Sequence, residues 1–463
     1  MASAPLILIA YGIGAYFFAT PDDSLLLTPV AISAAAVSAM IEYFVWKDRQ
    51  LPILDVGALC ALITLLYCAV PILAFIKSGY AWSSLSDARL QQMQPGADEL
   101  SAWAWSVAAY LLAFCAVYGI TRGPGMPGPT VRVASDAADG KALLIILAAC
   151  LAYAAAFSWY FDTNLQPSNQ ELASGEWMKD IPLLAAQTIH NVLGLLRIAV
   201  FGLIAFVTAR RDLRWIIALA ALTVFAAYVA VSNSGPRTDV VMLMFCALLC
   251  WHRLIRPIGF AKALTMGIVM LSGVILFGYW RDVGGDVQYM DLSTASTEFQ
   301  TILANGVHVA WAKAHDILKD VSWDVTFNDL ILLIPQQLLP FQKMDLPTWY
   351  VRNAHVNANG TGLMFGVVAQ SALGYGLPEI ILRGAVLGLL LALIHRQCAR
   401  RAESLTAVIV YLWLCISIYY TFRASTFYPA TWAFYRLLPF VLCFWALRAL
   451  LRSKGRSAFA TTC

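Results

Sequence analysis

Apolar runs close to 20 residues long recur along almost the whole chain, and no other feature restricts its fold so far. Such a run crosses the ~30 Å hydrocarbon core of a bilayer as an α-helix rising ~1.5 Å per residue. In hydrocarbon each backbone N–H and C=O must be satisfied within the protein, which leaves helices or closed barrels. Unbroken apolar runs select helices over the alternating pattern of a barrel. The chain therefore reads as an all-α, polytopic integral membrane protein of about twelve transmembrane helices. Their expected positions are 4–20, 25–46, 54–76, 101–120, 142–161, 187–208, 215–232, 239–252, 262–280, 376–396, 404–423 and 430–451. The first is expected to be retained, because no basic start or Ala-x-Ala cleavage pattern marks it as a signal peptide.

Positive charge sets the expected orientation. Alternate connections carry Lys47 and Arg49; Arg122, Arg132 and Lys141; Arg210, Arg211 and Arg214; Arg253, Arg256 and Lys262; Arg396, Arg400 and Arg401; and Arg452, Lys454 and Arg456. The other short connections hold only Lys77, Arg89, Lys179 and Arg237, beside acids such as Asp98, Glu99, Asp162, Glu171 and Glu176. Basic loops stay in the cytoplasm, so the first set and both termini are expected there. The net charge of +4 is then a topology signal and gives no reason to expect nucleic acid. Ten cysteines fall in apolar spans or on the cytoplasmic side, where they read as small buried hydrophobes.

Three regions follow from this pattern: 1–280 with nine spans and short loops, 281–375 as one long outer loop, and 376–463 with three spans and a cytoplasmic tail. A structureless loop of that length is unusual, so it should contain helices of its own. Residues 292–318 have helical periodicity with an apolar face. Phe327–Ile334 form a second apolar stretch ended by Pro335, and 363–373 read as an interfacial or re-entrant segment.

A few charges stand out against this apolar background. Arg237 lies in Asn233-Ser-Gly-Pro-Arg-Thr238, between two apolar runs. Arginine remains charged at any accessible pH, and a cation near hydrocarbon is costly enough to expect a role. Arg281 ends the ninth span after Gly278-Tyr-Trp280, at about the same outward depth, and Arg423 is a third arginine at that depth. Paired guanidinium groups suit a diphosphate, through bidentate charge-assisted hydrogen bonds. Interfacial anchoring of Arg237, or pairing of Arg281 with Asp282, is the competing reading. Arg383 lies four residues after Glu379 and is set to pair with it; Arg197, two turns from His190, reads as buried polar pairing in the bundle. Arg436 also lies inside its helix. His355, beside Arg352 in the polar tract 344–362, is the first candidate for a general base, with His308, His315, Asp282 and Asp286 as alternatives. No P-loop, Gly-x-Ser-x-Gly, His-Glu-x-x-His or Asp-x-Asp pair is present, so no cofactor or metal is expected.

In order and topology, Ser234-Gly-Pro-Arg-Thr238, Gly278-Tyr-Trp-Arg281, Leu333-Ile-Pro-Gln-Gln-Leu-Leu-Pro-Phe-Gln-Lys343 and the glycine-flanked Gly360–Gly376 resemble the Wzy-type O-antigen and oligosaccharide repeat-unit polymerases. The resemblance implies an inverting, metal-independent GT-C-type glycosyltransferase, related in outline to O-antigen ligases. It would work at the periplasmic face of a bacterial inner membrane. The implied substrate is an oligosaccharide on undecaprenyl diphosphate, transferred to a hydroxyl of another lipid-linked repeat unit. Arg237 and Arg281 would hold the diphosphate with Arg352 and Arg423, and His355 would take the proton. Membrane lipids and a chain-length regulator are the implied partners. One departure is that family members often carry an acid where Gln370 stands. A ligase-type transferase, or a polysaccharide flippase or exporter, is the alternative.

Overall fold

The computed structural model describes residues 24–48, 55–77, 97–127, 132–163, 181–210, 237–259, 262, 265–266, 297–315, 323–335, 338–341, 346, 349 and 366–460. The described chain is helical, with eight helices long and apolar enough to cross a membrane. They are Leu26–Asp48, Val56–Leu73, Asp98–Thr121, Ala137–Phe161, Leu184–Arg210, Leu377–Arg400, Leu405–Phe422 and Tyr428–Ser453, each overlapping an expected span. A shorter apolar helix, Met242–Leu254, overlaps the expected 239–252. The expected spans 4–20 and 215–232, and nearly all of 262–280, lie outside the described residues.

In chain order the elements are α1 (Ser24–Asp48), α2 (Val56–Thr64), a π-helical turn (Leu65–Ala69) and α3 (Val70–Lys77), then α4 (Ala97–Thr121), α5 (Ala137–Phe161), α6 (Leu183–Arg210) and α7 (Arg237–Leu254). Then come α8 (Thr297–Ala314), α9 (Trp323–Thr326), α10 (Asn328–Leu333), α11 (Gly366–Leu373), α12 (Leu377–Arg400), α13 (Leu405–Ser417), α14 (Tyr420–Arg423) and α15 (Tyr428–Trp432). A second π turn (Ala433–Leu437) leads into α16 (Leu438–Ala460). Each π turn ends two residues before a proline, Pro71 and Pro439. Proline has no N–H for the helix ladder and its ring crowds the preceding turn, so a widened turn relieves the clash without ending the helix.

Polar residues start the helices cleanly. Asp55 caps α2, its Oδ1 accepting from Gly57 N at 3.1 Å and Ala58 N at 3.0 Å. Asp136 and Asp139 form a reciprocal capping box at α5, each side chain accepting from the other's backbone N–H at 3.0 Å.

The tightest packing joins α4 and α12, which run parallel. A Cβ on Gly384 would come within 2.7 Å of Tyr110 O, and one on Gly388 within 2.8 Å of Phe114 O. Gly384 and Gly388 form a Gly-x-x-x-Gly pair, whose bare backbone lets two helices touch where lipid supplies no hydrophobic drive. α1 packs on α4 as well, with Phe44 edge-on to Tyr118. α5 and α6 are antiparallel, since Gly140 meets Phe206 and Gly202 meets Leu143.

These contacts sort the helix ends into two faces. Asp48, Asp55, Arg122, His395 and Tyr411 meet at one end, and the arginines near it in sequence (Arg396, Arg400, Arg401) make it the basic end. Arg452, which hydrogen-bonds Asp136 at the start of α5, and Arg253, which reaches Ala402 O at 3.2 Å, belong to it too. α6, α7, α12 and α15 therefore begin at the opposite, far end. Exposed aromatics border both: Trp46, Trp251 and Trp445 toward the basic end, and Trp159, Tyr160 and Tyr375 at the far end. Asp139 to Trp159 along α5 spans ~30 Å, the thickness that aromatic belts bracket in a bilayer.

At the far end the long connection turns back into the bundle. α8 forms inside the expected 292–318, but Ile302–Val309 are buried all round rather than along one face. Gly306 permits this, since a Cβ there would strike the Trp103 ring. α11 is also buried along nearly its whole length. Non-helical connections at such depth are tolerated where protein surrounds them.

Candidate functional site

Two polar centres occupy the far end, and they differ in how their charge is balanced. The first ties α9, α10, α11, α12 and the 425–427 turn together. Arg383, one turn and a half into α12, donates from Nε to Glu379 Oε1 at 2.7 Å. It also donates from Nη1 to Asp329 Oδ2 at 3.0 Å and to Thr426 Oγ1 at 3.1 Å, and from Nη2 to Thr326 O. The Glu379–Arg383 pair is the one their four-residue spacing predicts, and Asp329 makes it a triad.

Asp329 is satisfied completely. Its Oδ1 accepts from Ser425 Oγ and from Phe427 N at 3.2 Å, and its Oδ2 from Arg383 and from Gln370 Nε2 at 3.0 Å. Gln370 closes the network from the other side, its Oε1 accepting from Thr426 N at 3.0 Å and Thr426 Oγ1 at 2.9 Å. Position 370 thus requires a donor toward Asp329 and an acceptor toward Thr426, which an amide supplies in one group. A carboxylate with all its lone pairs engaged is a poor base. This centre is a clamp: it holds the returning segments to α12. Lys313 adds a brace, donating to the carbonyls of Ala372 at 2.9 Å and Gly374 at 2.7 Å at the C-terminus of α11. Burial pushes its pKa down, and Glu379 offsets only part of that fall.

The second centre is Arg436, on the π turn before α16. It is buried, at 6 % exposure, between α6 and the aromatic residues of α14 and α15. Its guanidinium lies 4.3 Å over the Trp432 ring, and Nε donates to Asn191 Oδ1 at a long 3.4 Å. Among the described residues no carboxylate lies within ion-pair distance of it. Arg197 of α6 is close enough for its charge to act on Arg436, and both arginines lie near His190, also of α6. Arg197, expected to make a buried polar pairing within the bundle, is half-buried on α6, and His190 is exposed.

The predicted site residues lie elsewhere. Arg237 is the first residue of α7, which places its backbone at the far end, and Arg423 closes α14 at that end; their side chains lie outside the described set. Arg281, Arg352, His355, Asp282 and Asp286 lie outside the described residues. His308 is buried in α8, while exposed His315 stacks on Trp311 and hydrogen-bonds its carbonyl through Nδ1 at 2.9 Å. His395 is at the basic end as expected, its Nδ1 2.7 Å from Tyr411 Oη and its Nε2 3.1 Å from Pro124 O. A carbonyl only accepts, so Nε2 carries the proton and Nδ1 accepts from Tyr411. There Arg122 joins Asp48 and Asp55, a buried anchor for three helix ends.

Asp329 escapes sequence reasoning because it sits in an apolar stretch whose partners are far away in the chain, and Gln370 stands out there only as a departure from the resembled family, without its partners. A single acid inside Phe327–Ile334 is the one available signal. Set against models of known families, curated proteins and solved structures, the chain matches none.

Proposed function

We propose that this chain polymerises lipid-linked oligosaccharide repeat units at the outer face of a bacterial inner membrane. It would transfer a glycan from undecaprenyl diphosphate to a hydroxyl of a second lipid-linked unit. The observation that carries this reading is the position of Arg237. Its backbone opens α7 at the end of the bundle opposite the basic end, where a helix N-terminus favours an anion. Positive-inside reasoning makes that surface the outer one.

In the proposed reaction the bond between the anomeric carbon and the diphosphate oxygen breaks, and the acceptor oxygen bonds to that carbon from the opposite face. The hydroxyl proton passes to His355, and the electron pair leaves with the diphosphate. Arg237 and Arg281, with Arg352 and Arg423, would stabilise the charge that develops there. The diphosphate is already an activated leaving group, so no nucleotide enters the scheme.

The test is Arg237→Ala at unchanged protein level. Loss of polymer with single repeats retained is the expected result. Lipid-linked polymer left unattached to its acceptor would indicate a ligase, and intermediates trapped on the cytoplasmic leaflet a flippase.

A further inference from the structure

We infer that Arg436 is the cation of a second anion site, set within the membrane, for the phosphate or diphosphate group of a lipid. The inference starts from a charge that has no counter-charge among the described residues. Arg436 lies eight residues into its span, ~12 Å below the helix end, where an unpaired guanidinium costs more than a cation–π contact returns. Among the described residues its one hydrogen bond is the long one from Nε to Asn191, and Nη1 and Nη2 have no hydrogen-bond partner. The two nitrogens form the planar fork that grips phosphate oxygens bidentately.

The seat around it is built to hold the arginine without neutralising it. Trp432 supports the guanidinium face, and Asn191 orients Nε as a neutral acceptor. Gly194 keeps the space clear, because a Cβ there would fall 2.2 Å from Arg436 Cδ and 2.8 Å from Nε. A π turn carries the residue, a local widening often associated with functional positions. Arg197 of α6 lies close enough for its charge to act on Arg436. The depth selects an anion carried by a lipid over one that arrives from water.

Polymerisation as proposed above brings two lipid diphosphates together, donor and acceptor. Allocating one to Arg237 and the other to Arg436 rests on that reading; anion binding at Arg436 does not.

The decisive variant is Asn191→Asp, which offers Arg436 a carboxylate at the atom it already contacts. Full-length protein in phosphatidylcholine nanodiscs is titrated with undecaprenyl diphosphate, phosphatidylglycerol or inorganic phosphate, with Trp432 among the reporting fluorophores. Asn191→Asp and Arg436→Gln are each expected to weaken prenyl-diphosphate binding about tenfold or more, while Asn191→Asp unfolds at the wild-type temperature or higher. Unchanged binding in folded Asn191→Asp overturns the site. Equal competition by phosphatidylglycerol supports a lipid-phosphate site and removes the prenyl allocation, whereas equal competition by inorganic phosphate overturns a lipid ligand. If Arg237→Ala leaves polymer intact while Asn191→Asp still loses affinity, the function reading falls and the anion site stands.

Discussion

Replacing Gln370 by glutamate tests the clamp with a predicted dependence on pH. The amide nitrogen that now donates to Asp329 at 3.0 Å becomes a carboxylate oxygen facing another carboxylate. Two charges at that distance repel by about 5 kcal/mol at an effective dielectric of 20, before Arg383 and Thr426 offset part of it. The side chain has a cheaper course, which is to stay protonated and donate as glutamine does. At pH 7, holding a proton on a group with an ordinary pKa near 4.3 costs about 3.7 kcal/mol, which caps the penalty. The sign follows: the folded-state pKa of the introduced carboxyl is raised, so the penalty is absent below pH ~4.3 and grows by ~1.4 kcal/mol per pH unit until it reaches its plateau. Thermal unfolding of both proteins in one detergent at pH 5, 6 and 7 reads this directly. The gap should narrow steadily toward pH 5. Gln370→Ala is the control: it strands Thr426 N and Oγ1, and its penalty should be flat with pH. A pH-independent Gln370→Glu penalty, or none, would refute the hydrogen-bond assignment.

Arg383→Met leaves Asp329 and Glu379 buried without their cation, so a loss of about 3–5 kcal/mol is expected, read as loss of monodisperse protein in detergent. Gly384→Ala should cost about 1–3 kcal/mol in thermal unfolding, because its Cβ meets the backbone carbonyl of Tyr110 and not a side chain that can turn away. At the basic end partial burial raises the pKa of Asp136, but the hydrogen bonds from Arg452 outweigh it and the net shift is downward. Its stabilising contribution is therefore present above the ordinary carboxylate range and lost as pH falls through the depressed value. Asp136→Asn should accordingly flatten the acid limb of the stability profile below pH ~4.

The membrane helices are legible because hydrophobic length is a local property: each run carries its own evidence, and eight expected spans overlap helices of the required length. The burial of α8 is not. Its periodicity in sequence marks one apolar face, yet Asn305, Gly306 and His308 on the remaining faces are also enclosed, because glycine lets Trp103 approach and the chain wraps around the rest. The Glu379–Arg383 pair is readable from a four-residue spacing. Asp329 and Gln370 are not, since their partners lie 54 and 56 residues away and only the fold brings them together. The Gly384/Gly388 pair and the prolines behind both π turns are visible signals that spacing arguments about charge pass over.

Counter-charge separates the arginines of this bundle into two kinds. Arg122 has Asp48 and Asp55, Arg383 has Asp329 and Glu379, and Arg448 has Asp139. Each of these arginines reaches at least one carboxylate from a segment distant in the chain, and none is left as an uncompensated cation, as a structural role in a low-dielectric interior requires. Among the described residues Arg436 departs from that pattern, resting on an aromatic face and an amide that support it but cannot neutralise it. A bundle that supplies carboxylates to Arg122, Arg383 and Arg448 has the chemistry to supply one here. Leaving it out preserves a full positive charge for something that arrives, and Asn191→Asp, which restores the missing carboxylate, should make the protein more stable and less able to bind.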